Sequence, residues 1–247
     1  MTPWNALVLA GSRPGGDPFA RAAGVSSKAL IEIGGQPMLA RVVSALRAAG
    51  AARIAVAASD PPVIELAHAL GCETLPAQAG PSESAAAGFD LLGAPMLLTT
   101  ADHALLRPEW ITDFLADLHP ETDVAALLAR RQSIERAAPG SKRTYWRFAD
   151  GDWSGCNLFC LVTPRAGQAL GLWRQVEADR KRPWRIVGRL GPALLLRYLL
   201  GRLTLVDGFA HLGRRAGLVA QAVESLHGLA AVDVDKQADL ELVRRLI

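Results

Sequence analysis

The sequence predicts an α/β fold: a Rossmann-like three-layer sandwich in which helices cover both faces of a mostly parallel central sheet. The first observation is a short apolar run at 6–10 that leads into a glycine-rich loop, the pattern of a buried strand. The second is a helical spacing of apolar residues from Met38 onward, which ends at Gly50. The third is that such strand and helix patterns keep alternating along the chain, which is typical of parallel α/β units.

Composition and charge narrow the class of protein. With 247 residues and 50% hydrophobic content, the chain can bury a large core, so we expect a single domain over 1–247. A basic and apolar stretch at about 173–213 is expected to form a helical insertion in that domain. The net charge of +3 is too small to predict nucleic-acid binding. The N-terminus lacks the pattern of a signal peptide, so we expect a cytoplasmic protein.

The loop after the first predicted strand is suited to bind phosphate. Gly11, Gly15 and Gly16 have no Cβ, so main-chain N–H groups can approach a polyphosphate closely there. Arg13 and Lys28 can supply the positive charge that these neutral donors lack. The sequence therefore predicts a phosphate site at the end of the first strand.

The next segments continue the alternation. We expect a helix from Met38 that ends before Gly50, a strand over 53–57, a helix over 63–70, a strand over 72–75 and a helix over 85–92. Ser82 or Ser84 is the expected cap of the last of these helices.

The fourth predicted strand, over 95–100, ends two residues before an aspartate. An acidic residue at the carboxyl end of a central parallel strand lies where open α/β sheets bind ligands. Because Mg²⁺ is typically held by one or two carboxylates and substrate phosphates, Asp102 is a candidate metal ligand. The alternative is that Asp102 only caps a turn. His103 is expected to pack or to form hydrogen bonds rather than to act as a base.

The second half of the chain is less regular. We expect a helix over 109–118, a strand over 123–129 and then a basic segment over 130–147, which either contacts an anionic acceptor or is simply solvated. Residues 180–203 are basic and apolar, and two interpretations compete: packing on the core, which we favour, or weak contact with a membrane surface.

The end of the chain carries a further pair of carboxylates. Residues 230–235 are expected to form a strand, which would place Asp233 and Asp235 on one face, and an amphipathic helix is expected to start near Lys236. An alternative role for Asp235 is to cap that helix.

Several motifs resemble those of the nucleotidyltransferases of the GT-A-like class, in particular the subgroup similar to molybdenum-cofactor guanylyltransferase. Lys28 followed by G-G-Q-P-M-L at 34–39 fits the family pattern closely. T-A-D-H-A-L-L at 100–106 is similar to the family's [ST]-A-D-x-P-L-L, and D-V-D-K-Q-A-D-L at 233–240 is similar to its [ND]-x-[DN]-T-P-E-D-L. The first loop departs from the usual G-G-x-G-T/S-R, because Ser12 directly follows the first glycine.

The resemblance implies a GT-A-like fold and assigns roles to individual residues. The implied nucleotide contacts are Ala10, Gly11, Ser12, Arg13, Gly15, Gly16, Lys28, Gln78, Gly80, Ser84 and Asp102, with those from 78 to 84 near the base or ribose. Arg13 and Lys28 are the implied catalytic residues, and Asn157 is an implied acceptor contact. Asp102 and Asp235 are the implied Mg²⁺ ligands, with Asp233 as a neighbouring or alternate ligand.

We therefore predict a Mg²⁺-dependent nucleotidyltransferase. It would transfer an NMP unit from an NTP to an anionic acceptor, either a phosphorylated small molecule or a lipid-headgroup precursor, and release pyrophosphate. One alternative is a GT-A-type glycosyltransferase, although such an enzyme usually carries a D-x-D motif and the stretch around Asp102 offers one carboxylate. A dinucleotide-dependent oxidoreductase ranks lower because G-x-G-x-x-G is missing after the first strand. A non-catalytic nucleotide-binding module is the remaining alternative.

Overall fold

An eight-stranded sheet forms the centre of the computed structural model, which describes residues 3–12, 15–178 and 191–247. Its spatial order is β10 (Ala220–Ser225), β7 (Val124–Arg130), β9 (Gly151–Leu161), β6 (Met96–Thr100), β1 (Asn5–Leu9), β4 (Ile54–Ala58) and β5 (Glu73–Pro76), and β8 (Trp146–Phe148) pairs with β9. The pairs β10–β7, β6–β1, β1–β4 and β4–β5 are parallel, and β9 runs antiparallel to β6, β7 and β8. The predicted mostly parallel sheet is confirmed.

Helices connect the strands, and a two-stranded hairpin lies outside the main sheet. The hairpin consists of β2 (Glu32–Ile33) and β3 (Gln36–Pro37). The helices of the described residues are α1 (Pro18–Ala22), α2 (Met38–Ala48), α3 (Pro61–Ala69), α4 (Pro81–Leu92), α5 (Pro108–Ala116), α6 (Arg131–Ala137), α7 (Gly167–Ala178), α8 (Pro192–Leu199), α9 (Leu205–Arg215) and α10 (Gln237–Leu246).

The alternating side chains of β1 separate the two faces of the sheet. Ala6 and Val8 belong to a core cluster that also contains buried residues of α2, α3, α5, α6 and α10. Leu7 points the other way and packs with buried residues of α4 and α7. Because alternate residues of a strand face opposite sides, the apolar residues 6–9 of β1 can contact a helical layer on each face of the sheet. The three-layer sandwich predicted from the sequence is therefore present.

α4 lies unusually close to the sheet, and a glycine makes this possible. A Cβ built at Gly88 would lie 2.3 Å from Leu7 Cδ2, well inside van der Waals contact. An alanine at this position would force the helix and β1 apart. The close packing fixes the amino-terminal end of α4 relative to the end of β1, where the candidate site lies.

Several predicted elements differ in the structure. The helix expected over 85–92 begins at Pro81, so Ser82 and Ser84 lie in its first turn and are not its cap. The strand expected over 230–235 is instead a 3₁₀ turn at Gly228–Ala231 followed by irregular chain. The adjacent edge of the sheet is formed by β10, which the sequence pattern did not reveal because Gln221 and Glu224 interrupt its apolar character.

The stretch expected as a helical insertion contains the end of α7, α8 and most of α9, and residues 179–190 lie outside the described residues. α8 packs inward through buried Leu194 and through Tyr198, whose ring meets Phe148 edge-on. It also exposes Leu196 and Leu199. None of the helices in the described parts of the chain combines the length and the apolar character needed to cross a membrane.

Candidate functional site

A cavity of about 1300 Å³ opens at the carboxyl ends of β1, β4 and β6. Crevices at this edge are where open α/β sheets bind ligands. The predicted nucleotide contacts that line it are Ala10, Gly11, Ser12, Lys28, Gln78, Gly80, Ser84 and Asp102. Asp235, the second predicted metal ligand, also lines it. The structure thus brings together residues that are more than 200 positions apart in the chain.

The glycine-rich loop is only partly described. Arg13 lies outside the described residues, so its predicted catalytic role stays a prediction. Gly15 and Gly16 have φ angles of +88° and +82°, which L-residues with side chains rarely adopt. They do not belong to the residues that line the cavity, whereas Asp17, which the sequence reasoning missed, does. Its carboxylate also caps α1 by accepting a hydrogen bond from Phe19 N at 2.9 Å.

The chemical centre of the cavity is a lysine held between two carboxylates. Lys28 Nζ lies 2.8 Å from Asp102 Oδ2 and 2.6 Å from Asp235 Oδ1. Lys28 opens a 3₁₀ turn whose cap is Ser27, and the Ser27 hydroxyl accepts a hydrogen bond from Ala29 N. This short turn directs the lysine toward the end of β6.

The surroundings of Lys28 keep it protonated. Burial by itself would lower the pKa of the ammonium, but the charge and hydrogen bond of Asp102, together with those of Asp235, outweigh that effect and raise the pKa above its usual range. Lys28 is therefore a permanent cation at neutral pH, suited to bind an anionic group.

The residues at this point fit a divalent metal ion. Asp102 Oδ1 is buried and has no hydrogen-bond partner among the described residues, so one carboxylate oxygen is free to bind a cation. Asp235 contributes a second carboxylate, which is largely exposed to the cavity side. In the described part of the chain, no group of three or more His, Cys, Asp or Glu side chains forms a metal cluster. Two carboxylates are the typical protein share of a Mg²⁺ site that substrate phosphates complete.

The side chains of Asp233 and Asp235 do not lie on one face, as they would in the strand expected over 230–235. The Asp235 side chain contacts Lys28, whereas the Asp233 carboxylate binds Arg143 and accepts a hydrogen bond from Asn157 Nδ2 at 2.8 Å. The chain here is held by Val234 N, which donates to the Asp102 carbonyl at 3.0 Å. Because residues 232–235 are irregular rather than a strand, the two carboxylates point in different directions and contact different partners.

Arg143 binds two aspartates, Asp233 and Asp239, that lie next to the proposed metal ligands; these three residues are called the Arg143 layer. Its guanidinium ion-pairs with Asp233 and, at 3.1 Å, with Asp239, and both Arg143 and Asp239 are nearly inaccessible to solvent. Asp239 Oδ2 in turn accepts a hydrogen bond from Asp235 N at 3.2 Å. Burial raises the pKa of Asp233, and the charge of Arg143 opposes that rise. Arg143 thus supports the backbone that carries Asp235, a role that the sequence reasoning did not find.

Asn157 lies in an irregular part of β9. The pairing of β9 with β7 shifts register between Ala126 and Leu128, and Asn157 adopts a φ of +50°, the only positive φ among the described non-glycine residues. A β-bulge of this kind redirects a side chain. Here it brings the Asn157 amide to Asp233 rather than to the lining of the cavity.

The loop between β5 and α4 is fixed by hydrogen bonds of its own. Ser84 Oγ accepts from Gln78 N at 2.9 Å and donates to the Gly80 carbonyl at 3.0 Å. Ser84 therefore shapes the loop, and the residues from Gln78 to Ser84 all line the cavity. Glu177 of α7, which no sequence motif indicated, also contacts this loop: its carboxylate accepts hydrogen bonds from both Ser82 N and Ser82 Oγ.

His103 is part of the core. It is fully buried, and burial lowers its pKa to about 4, partly opposed by the charge of Asp102. The ring is therefore neutral at physiological pH and lies 6.3 Å from the Trp110 ring. These surroundings give His103 a packing role.

Open α/β sheets bind their ligands in a crevice at the carboxyl ends of the strands, and in this protein that crevice holds a lysine between two carboxylates. The chain belongs to the family of MobA-like NTP transferase domains, whose model matches residues 6–198. It is a nucleotidyltransferase, as the motifs around Lys28 and Asp102 predicted.

Solved structures share the fold of this chain. A hypothetical transferase from Thermus thermophilus is 33% identical, with a TM-score of 0.83, over 97% of this chain and 100% of the other. The fold is also shared with a CMP:2-keto-3-deoxy-manno-octonic acid synthetase complexed with CTP (18% identity, TM-score 0.60, 99% and 98% covered). A nucleotidyl transferase from Methanothermobacter thermautotroptrophicus is 16% identical with a TM-score of 0.57, over 100% and 98%. No curated protein matches the chain in sequence.

Proposed function

We propose that the protein is a Mg²⁺-dependent nucleotidyltransferase that joins an NMP unit to an anionic acceptor. The observation that carries this proposal is the position of Lys28, which lies 2.8 Å from Asp102 and 2.6 Å from Asp235 in a cavity large enough for a nucleotide. A permanent cation and two carboxylates provide, in one place, charge for phosphates and ligands for their metal ion.

The reaction is an in-line displacement at phosphorus. An acceptor oxygen forms a bond to the α-phosphorus of the NTP, the bond from that phosphorus to the α,β-bridging oxygen breaks, and the electron pair leaves with pyrophosphate. A phosphate monoester is already ionised at neutral pH, so its oxygen needs no general base. This agrees with the neutral, buried state of His103, the histidine nearest to Asp102 in the sequence.

The residues of the chain supply position and charge. Lys28 binds the triphosphate and neutralises the charge that builds up on the leaving pyrophosphate. The backbone at Gly11 and Ser12 lines the same end of the cavity and can donate to phosphate oxygens. Arg13 is proposed to assist from the same loop.

Asp102, through its unpartnered Oδ1, and Asp235 would hold the metal ion, which would supply Lewis-acid polarisation of phosphate oxygens. The Lys28 ammonium contacts Asp102 Oδ2 and Asp235 Oδ1, so it would share both carboxylates with that ion. Before a nucleotide binds, the ammonium balances part of the negative charge of the two carboxylates.

The acceptor is proposed to enter from the side of β9, where Asn157 and the Arg143 layer border the metal ligands. In the sheet, β9 lies on one side of β6 and β1, and β5, which precedes the loop to α4, lies on the other side. A phosphorylated small molecule or a phosphorylated lipid-headgroup precursor would place its anionic oxygen next to the α-phosphate.

The proposal is tested by thermal unfolding of the purified protein with ATP, CTP, GTP and UTP, each with and without Mg²⁺. A triphosphate at about 100 times its dissociation constant stabilises the fold by roughly 2.7 kcal/mol, a shift of several degrees. We expect a shift that requires Mg²⁺, followed by pyrophosphate release when phosphate monoesters are screened as acceptors. A stronger shift with nucleotide-sugars than with any triphosphate would contradict the proposal.

A further inference from the structure

The carboxyl-terminal end of α7 reaches across the nucleotide cavity. Arg174, Glu177 and Ala178 line the cavity together with the loop between β5 and α4. α7 and α4 pack side by side on the same face of the sheet, through Leu170 and Ala85 among others. A helix from the second half of the chain therefore forms one wall of a cavity whose other walls come from the first half.

Glu177 is the residue of α7 that makes the closest contact. Its Oε2 accepts hydrogen bonds from Ser82 N at 3.2 Å and from Ser82 Oγ. A Cβ built at Gly80 would lie 2.8 Å from Glu177 Oε1, so the carboxylate lies directly against the backbone of Gly80 and a larger residue there would make it shift. The negative charge sits at the amino-terminal end of α4, which the helix dipole favours. The carboxylate is thus fixed in position before any ligand binds.

One oxygen of this carboxylate remains available. Glu177 Oε1 receives no hydrogen bond from a described residue, whereas Oε2 receives two from Ser82. An ionised carboxylate can only accept hydrogen bonds. Any ligand group that approaches Oε1 is therefore favoured when it carries an N–H or O–H and disfavoured when it carries a carbonyl oxygen.

The position of Glu177 points to the nucleoside part of the ligand. Lys28, Asp102 and Asp235 mark the phosphate end of the cavity, at β1 and β6. The loop from Gln78 to Ser84, with Glu177 above it, lies beyond β4 at the end of β5. A triphosphate held by Lys28 would extend its nucleoside in this direction.

We propose that Glu177 is a specificity-determining residue that reads the exocyclic amino group of the donor base. This inference rests on the proposed function and adds the class of base. A base that presents an amino group to Oε1 gains a hydrogen bond to a charged acceptor, and a base that presents a carbonyl oxygen meets repulsion. Guanine, cytosine and adenine have such an amino group, and uracil and hypoxanthine do not.

The test is calorimetric binding of Mg²⁺-triphosphates to the full chain in matched pairs: CTP with UTP, GTP with ITP, and ATP with purine riboside triphosphate. We expect the tightest-binding triphosphate to exceed its amino-lacking partner by about tenfold or more, the effect of one hydrogen bond to a charged group. In Glu177→Gln and Glu177→Ala, this ratio should fall to within about threefold. Asp90→Asn is the control for the loss of one negative charge, because Asp90 is an exposed acid of α4 that does not belong to the lining of the cavity, and it should preserve the ratio.

The outcomes separate the two proposals. If no triphosphate binds with Mg²⁺, the proposed function fails and the role of Glu177 fails with it. If triphosphates bind but the paired ratio is near one, or survives both substitutions at Glu177, only the inference about Glu177 is wrong. If the Glu177 variants lose affinity equally for both members of each pair, Glu177 only supports the loop. That result would also contradict the inference that Glu177 reads the base.

Discussion

Lys28 Nζ and Asp102 Oδ2 form an ion pair of 2.8 Å between residues 74 positions apart, at the point where β6 ends. The pair joins the loop after β1 to the loop after β6, and Asp235 extends it to the end of the chain. The same three side chains are the ones that the sequence motifs place in the chemistry of the family. The ion pair is therefore both a link between distant segments and the centre of the site.

Because Lys28 lies between the two proposed metal ligands, it should compete with Mg²⁺ for them. Lys28→Met would leave Asp102 with an unpaired, mostly buried charge and lower the stability by about 1–3 kcal/mol. The pair with Asp235 adds little, since that carboxylate is 62% exposed. Adding Mg²⁺ without nucleotide should raise the melting temperature of the variant more than that of the wild type. An equal response of both proteins in a thermal titration would argue against shared ligands.

The same lysine should be required for turnover. Lys28→Ala is expected to reduce kcat/KM by about 10²–10³, by analogy with the roughly 2.7–4 kcal/mol lost when one preorganised donor to a developing anion is removed. Pyrophosphate release measures this effect. Arg245→Ala, at an exposed position in the last turn of α10, is the control for a lost positive charge and should keep normal turnover. Near-normal turnover of the Lys28 variant would show that Lys28 does not stabilise the charge on the leaving pyrophosphate.

Arg143 should be essential for stability. Its removal would leave Asp233 and Asp239 unpaired in surroundings from which solvent is largely excluded, so Arg143→Ala is expected to cost about 3–5 kcal/mol. For a domain of this size, each kcal/mol lowers the melting temperature by roughly 2–4 °C. The neighbouring exposed Arg136→Ala should change the stability by less than about 0.5 kcal/mol. Similar melting temperatures for the two variants would mean that the buried network contributes little.

Asp123 provides a pH-dependent test of the fold itself. Hydrogen bonds from Thr163 Oγ1 at 2.6 Å and from Val219 N at 2.9 Å lower the pKa of its carboxyl below the usual 3.8. The ionised Asp123 carboxylate therefore stabilises the fold fully at pH values above its pKa in the unfolded chain. This stabilisation is lost as the pH falls through the lower pKa that Asp123 has in the folded protein. Asp123→Asn should cost about 1–3 kcal/mol at pH 7 and progressively less below about pH 4.

Denaturant unfolding of the Asp123 variant and the wild type across this pH range measures the difference. The exposed Asp117→Asn variant controls for the loss of one negative charge and should show no such trend. A difference that stays constant down to pH 2 would mean that the hydrogen bonds to Asp123 do not depend on its ionisation.

Much of the first half of the fold was predictable because its signals are local. β1, β4 and β6 are short apolar runs followed by glycine, serine or aspartate, and the helices between them show apolar residues at helical spacing. Lys28, Asp102 and Asp235 were proposed as site residues because each belongs to a short motif, and the structure places the three side chains in contact. Local chain patterns specify these features without knowledge of the tertiary contacts.

Other features depend on contacts between distant segments. β10 is too polar to be recognised alone, and it is stabilised by its pairing with β7. Glu177 lies 95 positions from its partner Ser82, and Arg143 lies 90 positions from Asp233, so no local pattern reveals either pair. The capping of α4 was mispredicted for the same reason: a carboxylate from α7 satisfies its first turn in place of a local serine.

The role of Asp102 and Asp235 as metal ligands is decided by the affinity for the best-binding triphosphate, with and without Mg²⁺, in the wild type, Asp102→Asn and Asp235→Asn. Asp90→Asn, at an exposed position near the end of α4, serves as the control for lost charge. We expect Mg²⁺ to tighten binding at least tenfold in the wild type and the control, and by much less in the two site variants. Equal Mg²⁺ dependence in all four proteins would contradict the assignment of Asp102 and Asp235 as the residues that hold the metal ion.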